Sequence, residues 1–347
     1  MVQFTITRPD DWHLHLRDGL ALKHTVAATA KHFERALVMP NLKPPLTSLD
    51  SLLSYREQIL LNVPKDCSFN PLMTFYLNED VKADELVKSK SHTFIVGAKL
   101  YPAGATTNSE AGARSLKNLY PLLEVMQQMD LVLQIHGEIV HGDIFEREAN
   151  FIKEELVPII KNFPKLRVVL EHISTKEAVD FIINTPNNVA ATITPHHLLY
   201  NRNHLLAGGI RPHYYCLPIL KHENDQRALQ QAAISGNPKF FAGTDSAPHS
   251  QQTKETACGC AGIYSAPYAV ALYTQAFDTL NKLDKLNAFI SHFGANFYHF
   301  PINKQKLTLI KQAQHVPATL PFGNQEVVPI AAGSTLSWSV SDETAQS

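Results

Sequence analysis

Eight short apolar runs, separated by stretches with helical spacing, constrain what this chain can fold into more than any other feature of its sequence. Reading apolar and β-branched runs as strands predicts them at about 4–15, 35–41, 67–76, 93–101, 130–136, 166–173, 188–195 and 239–245. Intervening segments such as DSLLSYREQILLN, SLKNLYPLLEVMQQM, TKEAVDFIINT and DQRALQQAAI carry helical patterns. RALVMPN, DLVLQIH and RVVLEH are apolar almost throughout, as parallel strands covered on both faces by helices must be. The class is therefore α/β, as a closed barrel or an open doubly wound sheet. A dinucleotide-binding open sheet would need a Gly-x-Gly-x-x-Gly turn after the first strand, and the sequence has none there. His13, His15, Asn41, Lys99, His136, His172 and Asp245 fall instead at or near the C-terminal ends of predicted strands, where barrels carry their chemistry. We predict one (β/α)8 TIM barrel over residues 1–347. The segment near 326–332 should pack outside it, 196–224 should be a long loop by the site, and the tail should fray from about 339.

Composition narrows the function. The chain is 44% hydrophobic and 18% charged, enough for a large core and too little charge for disorder. A formal net charge of −1 offers no bulk attraction to nucleic acid or an anionic membrane, so a small-molecule partner is expected. The opening MVQFTITRPDDWHLHLRD shows no basic-then-apolar leader pattern, and no apolar run is long enough to span a bilayer, which predicts a cytoplasmic protein. Cys67, Cys216, Cys258 and Cys260 are expected to be free thiols. Cys258-Gly-Cys260 is too closely spaced for a zinc ribbon and has no second pair.

Histidine carries the strongest chemical signal. On a strand, His13 and His15 would point the same way, toward the barrel interior, although an isolated pair reads equally well as half-buried and hydrogen-bonded. QIHGE adds His136, EHIS adds His172 and GTDSAPH adds Asp245, each after an apolar run. Four histidines and a carboxylate suit zinc best, with manganese, cobalt or iron left open by ligand chemistry. The set exceeds what one catalytic zinc needs, which admits two metals roughly 3.5–4 Å apart with an anionic bridge. Lys99 sits at the same level. By spacing alone it reads as a lysine reaching to a rim carboxylate.

The motifs DDWHLHLRDG, LVMPNL, GAKLYPAGATTNS, QIHGE, EHIST, ITPHHLLYNRN and GTDSAPH, spanning residue 10 to about 265, resemble the amidohydrolase superfamily. Within it they resemble the short bacterial type of dihydroorotase. The resemblance implies a metal-dependent hydrolase barrel with one zinc held by His13, His15 and Asp245 and a second held by His136 and His172. N6-carboxylated Lys99 and hydroxide would bridge the two Zn2+. It further implies substrate binding by His15, Arg17, Asn41, Thr106, Thr107, His136, Leu217, His249 and Ala261. Asp245 is implied as the catalytic proton shuttle, Gly104 to Ser109 as a mobile loop and a homodimer as the assembly. Read locally, Arg17 would instead pair with Asp11 or Asp18, and Thr107 or Asn108 would cap a helix starting near Ser109. The left-over His141, His196, His197, His204, His213 and His222 receive no metal role. The rival within the superfamily is a hydantoinase or allantoinase, which usually carries an upstream strand-rich segment, whereas 12 residues precede His13 here. A metal-free scaffold barrel would be expected to lack ligands that this sequence keeps.

Overall fold

The chain opens with β1 (Gln3–Thr7) and then lays down β2 (Asp10–Leu14), β3 (Arg35–Val38), β4 (Asn70–Leu77) and β5 (Ile95–Leu100). It continues with β6 (Val132–Ile135), β7 (Val168–Leu170), β8 (Val189–Ile193) and β9 (Phe240–Ala242). This computed structural model describes residues 2–341. Strands β2 to β9 form one sheet in chain order, every neighbour parallel. The last strand returns to the first. The Asp245 N–H donates to the His13 carbonyl at 2.8 Å, and the His15 N–H donates to the Ser246 carbonyl at 3.0 Å. The buried Asp11 carboxylate clamps this seam, accepting from the Thr244 N–H at 2.8 Å and from the Thr244 hydroxyl at 2.5 Å. These bonds close the sheet into a barrel and exclude the open alternative.

The connections hold α1 (Leu22–Ala30), α2 (Leu49–Leu61), α3 (Ala83–Ser89), α4 (Tyr120–Met129) and α5 (Arg147–Phe151). After them come α6 (Val157–Asn162), α7 (Lys176–Ile183), α8 (Pro195–Leu199), α9 (Arg202–Leu206) and α10 (Glu223–Ile234). Side chains start several of them: Ser48 caps α2 by accepting from the Ser51 N–H, and Thr175 caps α7 by accepting from the Ala178 N–H. Every residue of β2, β3 and β5 to β9 is buried, as continuous apolar runs require. Trp12, Leu37, Leu72, Val96, Val132, Val169, Ala190 and Phe241, one from each barrel strand, cluster inside. Ala36, Val38, Phe75, Leu133, Leu170 and Ala242 belong to the outer layer with the helices.

Four expectations need correction. The run 4–15 is two strands, because Pro9 offers no N–H to continue the ladder. β1 turns away to pair antiparallel with a later strand, β10 (Lys306–Ile310), and only β2 enters the barrel. The 196–224 stretch is not bare loop. It holds α8 and α9, too short for a visible period, with Thr194 and Asn201 as caps. No helix begins near Ser109: residues 103–115 are turns, and the 3-10 turn Leu116–Leu119 leads into α4. The tail does not fray at 339.

Past β9 come α11 (Gln251–Lys254), α12 (Ala269–Thr279), α13 (Leu283–Asn287) and α14 (Phe293–Phe297). Then follow β11 (Gln314–His315), β12 (Leu320–Phe322), β13 (Gln325–Val327), β14 (Thr335–Leu336) and β15 (Ser339–Val340). β15 pairs with β10 through Leu309–Val340 and Ile310–Ser339, and the expected frayed residues 342–347 lie outside the described ones. Within 326–332, Ile330 and Ala331 pack with Cys216, Leu220, Ile263 and Leu272.

The segment at α14 packs against the interior cluster. Tyr298 stacks on Trp12 with centroids 4.4 Å apart and planes 4° from parallel, and Gly294 lies so close that a Cβ would stand 2.1 Å from the Trp12 Nε1. Gly294→Ala is therefore expected to destabilise the fold by about 1–3 kcal/mol. A urea-denaturation midpoint equal to that of the parent would show that this contact is not rigid.

Candidate metal centre and substrate pocket

His13 and His15 meet at their Nε2 atoms, 3.4 Å apart. Asp245 Oδ1 stands 3.3 Å from His13 Nε2 and 3.1 Å from His15 Nε2. The outer nitrogens are already committed: His13 Nδ1–H donates to Glu171 Oε2 at 2.8 Å, and His15 Nδ1–H donates to Asn41 Oδ1 at 2.9 Å. That assignment follows from the acceptors, since a carboxylate and an amide oxygen can only accept. Both Nε2 lone pairs therefore face the Asp245 oxygen, an arrangement that repels unless a cation sits among the three. Ligand atoms of a tetrahedral zinc with Zn–N near 2.0–2.1 Å stand about 3.3 Å apart, the spacing found here. The donors fit a metal.

Strict alternation would not place Trp12 and His13 both inside. The register of β2 on β3 shifts between Asp11 and Leu14, and this irregularity turns both inward. His172 and Asp245 take left-handed backbone, with φ of 43° and 44°, as does Arg17 with φ of 63°. Each turns off its strand's path where the site begins, a form of strain concentrated at functional positions. Gly97 leaves space two residues before Lys99, since a Cβ there would stand 1.9 Å from the Val132 carbonyl oxygen.

A second group of donors lies beside the first. His136 Nε2–H donates to Glu138 Oε2 at 2.9 Å, which leaves Nδ1 for the interior. The His172 ring centroid lies 4.8 Å from that of His136 and 4.9 Å from that of His13, and its buried Nδ1 has no partner among the described residues. Lys99 is 0% exposed, and its Nζ likewise meets no hydrogen-bond partner among them, lying 5.2 Å from the Tyr101 ring centroid. Burial pushes the Lys99 amine down to about 8, partly offset by Glu171 and Asp245. Burial also lowers His15 to about 4 and depresses His136 and His172, so these rings are neutral and their lone pairs available.

One pocket gathers most of the predicted residues. His13, His15, His136, His172 and Asp245 line it together with Arg17, Asn41, Thr106, Thr107, Leu217 and Ala261. Lys99 lies buried and is not on its wall. His249 does not line it either: its Nε2 accepts from Arg17 Nη2 at 2.9 Å, while Arg17 Nε donates to the Pro248 carbonyl at 2.9 Å. Arg17 is thus held toward the pocket by this loop, not by the surface ion pair a local reading suggests. The 104–109 loop is drawn over the opening. Thr107 Oγ1 donates to the Ala261 carbonyl at 3.2 Å, and Asn41 Nδ2 donates to the Thr107 carbonyl at 3.3 Å. The enclosed volume is about 20 Å³, room for roughly one water.

Sequence reasoning missed Tyr101, whose buried hydroxyl has no partner among the described residues, and the supporting carboxylates Glu171 and Glu138. Glu171 also accepts from the Thr192 hydroxyl at 2.6 Å, and Thr192 Oγ1 accepts from the His172 N–H at 2.7 Å. The usable signal was an acidic residue in an otherwise apolar strand end, as in VVLEH, or two positions past a ligand, as in HGE.

The amidohydrolase family model matches residues 7–329. The chain is 57% identical over 342 residues to the dihydroorotase of Coxiella burnetii, covering 98% of each protein. This chain belongs to the amidohydrolase family, in its dihydroorotase branch. The solved dihydroorotase of Campylobacter jejuni superposes with a TM-score of 0.90 at 35% identity, over 97% of each chain. The Saccharomyces cerevisiae dihydroorotase, solved with 5-fluoroorotic acid, superposes with a TM-score of 0.90 at 34% identity, over 98% of each chain. The chain is a hydrolase of the class acting on cyclic amides, in a metal-dependent family. No helix among the described residues is long and apolar enough to cross a membrane.

Glu171→Gln keeps the shape but weakens the hold on the His13 N–H. It is expected to lower metal affinity about 10–100-fold, read by competition with a chelator. Unchanged affinity would mean that Glu171 does not orient His13.

Proposed function

We propose that this chain interconverts L-dihydroorotate and N-carbamoyl-L-aspartate, the cyclic-amide step of de novo pyrimidine synthesis, using two zinc ions. The observation that carries the metal-dependent reading is the convergence of the His13, His15 and Asp245 lone pairs in the pocket walled by Arg17 and Asn41. His13, His15 and Asp245 would hold one zinc, His136 and His172 the other, and carboxylated Lys99 both. The cations, when bound, supply an acidified water and polarise the amide carbonyl. Carboxylation suits Lys99: an amine lowered to about 8 is partly neutral near pH 7 and can add carbon dioxide, releasing one proton.

The protein's own groups do the rest. Arg17 offers a planar guanidinium to the substrate carboxylate, with Asn41 as a neutral partner. His249 orients that guanidinium through the bond to its Nη2 and can reach the substrate only if the loop rearranges. Thr106, Thr107, Leu217 and Ala261, which line the same pocket, would contact the ring. The loop must open for entry, because the closed pocket admits only about one water. His15 and His136 face the same space and would contact the ring as well as metal.

In ring opening, water adds to the amide carbonyl carbon and the carbon–nitrogen bond breaks. Asp245 takes the proton of that water and returns it to the departing nitrogen. In ring closure Asp245 runs the same transfer backward. The free thiols are consistent with a reducing, cytoplasmic setting, which belongs to the same reading. So does the homodimer, which sedimentation as a single monomeric species would overturn.

The direct test is absorbance-monitored ring opening of L-dihydroorotate with zinc measured on the same sample. About two zinc per chain with turnover is expected, and zinc without turnover would move the substrate to a different cyclic amide. Asp245→Asn should abolish both directions while much of the metal stays bound, and a near-normal rate would remove Asp245 from the proton path. Ring opening releases one net proton at neutral pH, so the equilibrium ratio of ring to open acid should rise about tenfold for each unit of acidification. A pH-independent ratio would contradict the reaction.

A further inference from the structure

A second histidine-rich cluster lies outside the proposed catalytic ligands. Just past β8, α8 carries His196 and His197, and the chain before Pro218 brings Cys216 against them. One ligand atom from each of these three residues lies within 4.8 Å of the other two. All three are buried, and His196 is 0% exposed. His196 is the anomaly, because neither of its ring nitrogens finds a hydrogen-bond partner among the described residues. An imidazole has one N–H and one lone pair, and leaving both dry and unpaired is costly unless something else occupies the space between them and their neighbours.

The other two residues show what would fit. His197 Nε2–H donates to the Pro218 carbonyl at 3.1 Å, and the Cys216 S–H donates to the same oxygen at 3.2 Å. Two protons therefore converge on one acceptor where a single cation could replace both. His197 Nδ1 lies 2.8 Å from the Thr194 hydroxyl, which can accept as readily as donate. The ring can thus move its proton to Nδ1 and free Nε2 while staying oriented.

We propose that His196, His197 and Cys216 form a third metal site, for zinc or another thiophilic divalent cation. The set of two imidazoles and one thiolate excludes hard cations such as magnesium and calcium, and the Pro218 oxygen is at hand as a further donor. Binding exchanges the Cys216 thiol proton for the metal and releases that proton to solvent. No ligand is shared with the His13, His15, Lys99, His136, His172 and Asp245 set, so the site does not depend on the ring-opening reading. Its position suggests a structural consequence. Leu217, next to Cys216, lines the substrate pocket, and the Tyr215 carbonyl accepts from the Gly262 N–H at 3.0 Å. A cation here would tie the end of β8 to the strip of chain that forms the pocket wall.

The proposed catalytic donors are nitrogen and oxygen only, so a thiolate signal separates the two sites. Metal-free full-length protein carrying Cys258→Ser and Cys260→Ser would be titrated with Co2+ and followed in the near ultraviolet. The expected result is a third equivalent of cobalt per chain with a thiolate-to-cobalt charge-transfer band. Adding Cys216→Ser should abolish band and third equivalent while ring opening is retained. His196→Gln, which keeps the buried volume, should weaken the third equivalent at least tenfold and serves as the check if the serine variant folds poorly. Saturation at two equivalents without the band, or a band that survives Cys216→Ser, overturns the proposal.

Discussion

The bond between the first and last barrel strands is the constraint on which the rest of the molecule depends. The Asp245 N–H reaches the His13 carbonyl, and the next pair, His15 to Ser246, repeats the link two residues on. Three proposed metal ligands are therefore the residues, or the immediate neighbours of residues, that close the sheet. Asp11 and Thr244 lock the same seam from inside the wall. A shift of β9 against β2 by one residue would open the barrel and separate Asp245 from both histidines at once, so fold and site share one register.

Electrostatics makes the same region incomplete without bound cations. Glu138 and Glu171 are fully buried, Asp245 nearly so, and each has an imidazole partner; Lys99 is buried close by, and Arg17 lines the same pocket as Asp245. One oxygen of Glu138 and one of Glu171 have no partner among the described residues. Three buried acids with partly unpaired oxygens are an arrangement that a low-dielectric interior disfavours strongly. Divalent cations at the histidine nitrogens would reverse the balance, and the two carboxylate-bound rings, His13 and His136, are already turned with a lone pair inward. The outer carboxylates thus decide which nitrogen His13 and His136 offer, and the Asn41 amide oxygen does the same for His15.

Above this floor, the proposed recognition groups sit on loops held by main-chain and side-chain bonds. Arg17 is fixed through Pro248 and His249, Asn41 through His15 and Thr107, and the 104–109 loop through Ala261. Lys254 reinforces the far wall, its ammonium donating to the carbonyls of Tyr215, Cys260 and Gly262. A pocket of about 20 Å³ with a few weak bonds from the 104–109 loop across it would suit the proposed opening of that loop for loading.

Much of this was legible in the sequence. Eight apolar runs and the position of His13, His15, Lys99, His136, His172 and Asp245 at their ends specify a parallel barrel with chemistry at one rim, because strand burial and strand polarity are local properties of the pattern. The break at Pro9 was also written there, though the apolar run across it hid the division into β1 and β2. What the pattern did not reveal were contacts between residues far apart in the chain. Glu171 on His13, Thr192 on Glu171, Asp11 on Thr244 and His249 behind Arg17 join segments more than twenty residues apart. The sequence by itself determined the strands, their order and the ligand types, since those follow from periodicity and side-chain chemistry. Only the tertiary structure decided which imidazole nitrogen faces inward, where His249 points and that His196 is buried without a partner, because each depends on what the closing barrel brings within hydrogen-bond distance.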